Sequence, residues 1–236
     1  MKKLLALLLA LVMLLSLAAC SNSDDDDDDD DKRGSVSSDK DKDSDKDSDK
    51  DSDKDSDKED AKKEEVEAGT SKNNTYKNEF AGIQCTLNSE WTFMTDAEIK
   101  ANNEKTYGML GSNYAEAIKN AKVFTDMMAS HSNQMNTLSV VFEKTALTER
   151  AYADASKNQT KAALEQIGMT NVTVTITEDD FVDGNHVMID IAAKYSGMSV
   201  YERLAVMKCG DYMVLVTACT WNTNDCQTIL DCFKAL

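Results

Sequence analysis

From residue 172 to residue 177 every second position is apolar: Val172, Val174 and Ile176 alternate with Thr173, Thr175 and Thr177. That period of two predicts a strand with one face buried and one in water. Three more strands follow at hairpin spacing. Asp183-Gly184 predicts a turn into Val187–Lys194, Ser196-Gly197 a second into Val200–Lys208, and Gly210-Asp211 a third into Tyr212–Thr220. Met213–Ala218 is apolar except at Thr217, which predicts a central strand covered on both faces. Beyond it, Cys226, Ile229, Leu230 and Phe233 recur at helical spacing, with Asn224 or Asp225 as the cap.

Upstream the pattern is mixed. Phe80–Leu87 predicts a strand, and Trp91–Phe93 its hairpin partner across Asn88-Ser89. Asp96 predicts the N-cap of a helix, and Ala115–Asn120 a further turn or two. Lys122–Met128 and Thr137–Glu143 read as an antiparallel pair. Thr148–Ile167, rich in Ala, Lys and Gln and followed by Gly168, reads as the longest helix. Successive short-turn strands imply an antiparallel β-sheet whose apolar faces need helices over them. The expected class is α+β, an antiparallel β-sheet flanked by helices in an α/β/α sandwich.

Before residue 76 no such periodicity exists. Residues 21–68 carry 23 acidic and 10 basic side chains, most of the chain's net charge of −17. Eight consecutive aspartates, Asp24–Asp31, lead into the tetrapeptide Asp-Lys-Asp-Ser, repeated four times from Asp41 to Ser56. A segment this poor in apolar side chains cannot offset its chain entropy and is expected to be disordered, a solvated spacer. Asp39, Asp41 and Asp43 alternate as in a calcium loop, but Ser44 stands where that loop needs Gly and Lys50 where it needs Glu.

Lys2 and Lys3 precede an apolar run, Leu4–Leu17, of the length a secretory signal uses and short for a permanent span. The run ends Leu17-Ala18-Ala19-Cys20, which resembles the lipobox of bacterial lipoproteins. The resemblance implies cleavage between Ala19 and Cys20 and a diacylglyceryl group on the Cys20 thiol, two acyl chains giving stable anchoring. The expected organisation is a signal peptide at 1–19, a lipidated cysteine and acidic tether at 20–75, and one α+β domain at 76–236. The expected place is the extracellular face of the cell membrane.

Within the domain, Tyr76-Lys77-Asn78-Glu79-Phe80-Ala81-Gly82-Ile83, then Glu90-Trp91-Thr92-Phe93 and Asp96-Ala97-Glu98-Ile99, resemble the entry hairpin and first helix of PsbP-like domains. Tyr212–Val216 and Ile229–Phe233 are similar to their closing strand and helix. The likeness is greatest to Gram-positive surface lipoproteins that carry this domain after an acidic or Ser-rich tether. It implies a twisted antiparallel sheet between helices and accessory or binding roles at membranes, and it supplies no site residues.

Candidate chemistry is sparse. The two histidines, His131 and His186, read as loop and turn residues without metal-ligand spacing to a second histidine or a cysteine pair. Glu178, Asp179, Asp180 and Asp183 cluster near His186 and suit a hard cation or a plain exposed loop. Five domain cysteines, Cys85, Cys209, Cys219, Cys226 and Cys232, leave at least one unpaired within the chain; Cys226 and Cys232 share the last helix, and a Cys219–Cys226 staple competes with free buried thiols. Scattered methionines read as core filler rather than copper ligands. No phosphate loop, dinucleotide fingerprint or nucleophile elbow occurs, so no cofactor and no resident metal is expected. The domain is acidic without a basic stripe, which argues against nucleic acid.

These features favour a non-catalytic binding or accessory domain, held at the membrane by its diacylglyceryl anchor and meeting an envelope protein or glycan. A small-ligand or metal-binding lipoprotein is the alternative, with Trp91, Trp221, His186 and Asp183 as its candidate site residues. An envelope hydrolase is a third, less favoured reading, since no catalytic motif is present.

Overall fold

The computed structural model describes residues 66–110 and 123–236. The signal region, Cys20, residues 21–65 of the acidic tether and the helical turns expected at Ala115–Asn120 lie outside the described residues, while residues 70–72 and 75, expected in the tether, belong to strands. The class is α+β: two antiparallel sheets and a few helices.

The larger sheet has seven strands in the order β4-β5-β6-β10-β9-β8-β7, comprising β4 (Trp91–Phe93), β5 (Val123–His131), β6 (Thr137–Lys144), β7 (Thr170–Phe181), β8 (Gly184–Tyr195), β9 (Met198–Cys209) and β10 (Tyr212–Trp221). The smaller has four, β1 (Thr70–Lys72), β2 (Thr75–Asn78), β3 (Ile83–Thr86) and β11 (Phe233–Ala235), in the order β1-β2-β3-β11. As the run Met213–Ala218 predicted, β10 lies at the centre, paired with β6 and β9 and buried on both faces.

Alternation assigns the two faces. Val141, Leu204, Leu215 and Ile189 pack under the helix α2 (Glu149–Gln166) against Tyr152, Ala153, Ala163 and Leu164. The helix α1 (Asp96–Leu110) joins this side through Ile99 and Met128. On the other face Val140, Phe142, Val214, Val216 and Met188 meet Tyr76, Ile83, Cys85 and Leu87 of the small sheet region, with Leu230 of the short helix α3 (Cys226–Leu230). The second face is therefore covered largely by strands, where a helical layer was expected. Each large side chain buried in these layers, Phe142 and Ile83 among them, contributes about 1.5–3 kcal/mol.

Local chemistry accounts for the element ends. Thr148 caps α2 by accepting from the Ala151 N–H, and the helix closes with paired bonds, Gly168 N–H to Glu165 O at 3.1 Å and Met169 N–H to Leu164 O at 3.0 Å. Gly168 holds φ at +92°, and Met169 and Leu164 bury against each other's side of the core, the contact that accompanies such a stop. The expected cap of α1 moves back one residue: Thr95 donates its N–H to the Glu98 carboxylate at 2.8 Å and its hydroxyl accepts from the Glu98 N–H at 3.4 Å.

Several boundaries differ from the sequence pattern. Trp91–Phe93 does not pair with the strand before it; β4 joins the other sheet beside β5, and the entry hairpin is β2 with β3. Phe233 leaves the last helix and starts β11, opposite Cys85, so Cys232 also falls beyond the helix. Asp225 occupies the cap position of α3, but its carboxylate accepts from the Thr223 hydroxyl at 2.6 Å instead of capping. His131 is the last residue of β5, opposite Trp91, rather than a loop residue. The β7–β8 turn is Val182-Asp183, not Asp183-Gly184, because Phe181 pairs with Gly184. Val182 takes φ +60° there, a backbone conformation that β-branched residues avoid.

Candidate functional site

Where α2 begins, its first residue reaches the ends of two strands. Glu149 Oε1 accepts from the Lys208 N–H at 2.8 Å and lies 3.0 Å from His186 Nδ1; Oε2 accepts from the Val187 N–H at 3.4 Å. One carboxylate thus docks the helix start on β8 and β9, and its charge suits the positive end of the helix dipole. Lys208 Nζ in turn donates to the Thr145 carbonyl. Glu149, His186, Val187 and Lys208 line an open cleft of about 470 Å³ together with Arg150, Glu178 and Asn185.

His186 has its Nδ1 against Glu149, which favours the tautomer with the proton on Nδ1 and leaves Nε2 as an acceptor. Gly184 makes room for the ring: a Cβ there would stand 3.3 Å from Nε2. That close approach, not a positive φ, is what uses a glycine at this position. The resulting site offers a histidine held by a carboxylate, with an amine, a guanidinium and an amide nearby. It suits binding of a polar ligand or exchange of a proton.

The nearby thiol does not suit a nucleophile. Burial first, then the carboxylates of Glu149 and Asp183, push the Cys209 thiol above its ordinary range, so it stays protonated.

The four site residues expected from sequence do not converge. His186 lies in this cleft, while Asp183 sits in the neighbouring turn beyond the cleft lining. Trp91 stacks edge-on with His131 at 5.2 Å between ring centres, at the β4 margin of the sheet. Trp221 is buried in the helix-facing core, 6.4 Å from Tyr195. The acidic cluster is divided: Glu178 lines the cleft, and Asp179 accepts from Arg203 at 2.7 Å. Arg203 also holds Asp190 at 3.0 Å, which ties β7, β8 and β9 together. Among the described residues no three His, Cys, Asp or Glu side chains gather closely enough to hold a metal ion.

Two buried acids were not singled out in the sequence. Glu143 accepts from the Tyr152 hydroxyl at 2.6 Å, yet burial raises its pKa to about 8, the Tyr152 bond only partly opposing. Glu202 lies on β9 between Val200 and Leu204, on the face under α2, and burial raises it to about 8 as well. The Cys219 thiol beside it acts in the opposite direction, while neither carboxylate oxygen has a well-formed hydrogen bond. Both acids were legible as polar residues at core-facing positions of their strands, a signal that alternation carries. Cys219 shares that helix-facing side, whereas Cys226 packs on the opposite face, so the Cys219–Cys226 staple does not form and all five cysteines are free.

No family model matches this chain. No curated protein matches it either. Among solved structures it is similar to LpqN, described as involved in cell envelope biogenesis of Mycobacterium tuberculosis, at 8% identity and a TM-score of 0.34 over 63% of this chain and 75% of that one. The PsbP-like resemblance rests on the sequence motifs quoted above. Among the described residues no helix is long and apolar enough to cross a membrane.

Proposed function

We propose that this chain is a lipid-anchored surface protein that presents a non-catalytic binding domain on an acidic tether. The observation that carries this reading is the order of parts: an apolar run ending in Leu17-Ala18-Ala19-Cys20, an almost wholly polar stretch, then a domain whose first strand starts at Thr70. Residues 21–65, fully extended, reach on the order of 150 Å, so the domain samples a deep shell above the bilayer. Mutual repulsion with anionic headgroups favours the outward part of that shell.

A second reading, small-ligand binding, draws support from the convergence of Glu149, His186 and Lys208 in one cleft. Crosslinking of living cells, followed by recovery of the full chain or of a chain ending before Val66, tests the first reading. Envelope material enriched only with the domain is the expected result, and equal recovery from both chains rejects it. Thermal shift of the full chain across polar metabolites tests the second; a shift abolished by His186→Ala supports binding in the cleft, and no shift rejects it for the compounds tried.

A further inference from the structure

We propose that Cys85 and Cys232 form a reversible disulfide that fastens the α3–β11 segment to the small sheet. The strand register brings their backbones together, and Cys232, in the turn just before β11, escapes the alternation that would send its side chain to the Thr86 face. Phe233 pairs with Cys85, Lys234 with Gln84 and Ala235 with Ile83, so Cys232 is one residue from the position directly opposite Cys85. An offset of one residue across an antiparallel pair separates Cα atoms by roughly 6 Å, inside the range a disulfide spans. Both side chains pack into the same apolar cluster, Cys85 fully buried and Cys232 half-buried.

The two thiols also sense each other. Contact with the Cys232 thiol, ahead of burial, drives the Cys85 thiol far above its ordinary pKa. That makes Cys85 a poor first nucleophile and assigns the opening step to Cys232, which reaches the surface. The Cys232 thiolate attacks one sulfur of a low-molecular-weight disulfide such as cystine and expels the first thiolate. Cys85 then gives up its proton, its sulfur attacks the Cys232 sulfur of the mixed disulfide, and the second thiolate leaves. Two protein thiols are oxidised, one small disulfide is reduced to two thiols, and the two protein protons go to those products.

The other cysteines are placed to stay out of this exchange. Cys219 lies on the helix-facing side of the large sheet. Cys226 Sγ lies 3.4 Å from the Tyr201 carbonyl and 3.4 Å from the Thr220 hydroxyl. Cys209 is held protonated at the far end of β9. The pairing depends only on the folded domain and stands whether or not Cys20 carries lipid.

The test uses the full chain, treated with cystine, denatured, alkylated and digested without reduction. The expected product is one peptide pair joining Cys85 to Cys232, lighter by two hydrogens, with Cys209, Cys219 and Cys226 alkylated and the link lost on adding a dithiol reductant. Closing so long a loop raises Tm by roughly 10 °C, and Cys232→Ser, at a half-exposed site, folds but loses that rise. Recovery of Cys85 and Cys232 both alkylated overturns the proposal. So does a link from either to Cys209, Cys219 or Cys226, or an equal rise in Tm for Cys232→Ser.

Discussion

The Asp126 carboxylate accepts the Gly69 N–H on both oxygens, at 2.9 and 3.0 Å, across 57 residues of chain. Asp126 sits at the bulge that interrupts the β5–β6 register between Thr125 and Met127, and bulges re-aim side chains in this way. The same carboxylate accepts from the Tyr76 hydroxyl at 2.5 Å and the Asn78 amide at 2.9 Å. It therefore joins the large sheet to the small one where the chain enters the domain.

Asp126→Ala leaves three donors without their acceptor, and each costs about 1 kcal/mol or more where water cannot replace it. The expected loss is about 3 kcal/mol in denaturant unfolding, with faster amide exchange at Gly69. Gly69→Ala should weaken the same junction, since a Cβ would stand 2.5 Å from Tyr76 Cε2 and 2.8 Å from the Lys77 carbonyl. Wild-type exchange at Gly69 in Asp126→Ala would show that the carboxylate does not hold this entry point.

Stability should fall as pH rises from about 4.5 to about 8. Glu143 and Glu202 are each raised from 4.5 to about 8, so the native state keeps protons that the unfolded chain has released. Unfolding in this window therefore releases protons, and stability declines by up to about 1.4 kcal/mol per pH unit for each acid, levelling above the folded values. Urea midpoints across this window measure the slope. Glu143→Gln should reduce it, and a stability that climbs through the same window contradicts the assignment.

Glu149 and His186 are separable. Glu149→Ala removes the acceptor of the Lys208 and Val187 amides and should cost about 1–2 kcal/mol of stability. His186→Ala leaves those amide bonds in place and should change stability by less than about 1 kcal/mol. Equal destabilisation by the two variants would mean that the imidazole, not the carboxylate, docks the helix start.

Cys20→Ala should shift the protein from the detergent-rich phase to the aqueous phase, or out of the cells, in a detergent partition assay. The proposed anchor is the pair of acyl chains on Cys20, so persistence in the detergent phase would point to an anchor elsewhere.

The C-terminal third was legible because each strand carries its own evidence: alternation along β7, and a run apolar on both faces at β10. Helix ends were legible where side chains act within one turn, as with Thr148 and Gly168. Sheet membership of short strands was not. Trp91–Phe93 is three residues long, and its choice of β5 over β3 depends on contacts some forty residues ahead. Phe233 fits the helical spacing of α3 equally well as a β-bridge to Cys85, and only tertiary pairing decides between them. Of the cleft, His186 and Glu178 were visible, as a histidine beside an acidic cluster. Glu149 was hidden because the charge that docks on β8 and β9 reads in one dimension as an ordinary first-turn acid.

The small sheet has a consequence for the order of folding. Gln84 donates to the Ala235 carbonyl from 151 residues away, and β11 adds to β3 over the same separation. The entry hairpin therefore waits, with the edge of β3 unpaired, until nearly every residue between has emerged. Loop-closure entropy makes such a pairing slow. Until it forms, the edge beside Cys85 is open to any extended chain that arrives first.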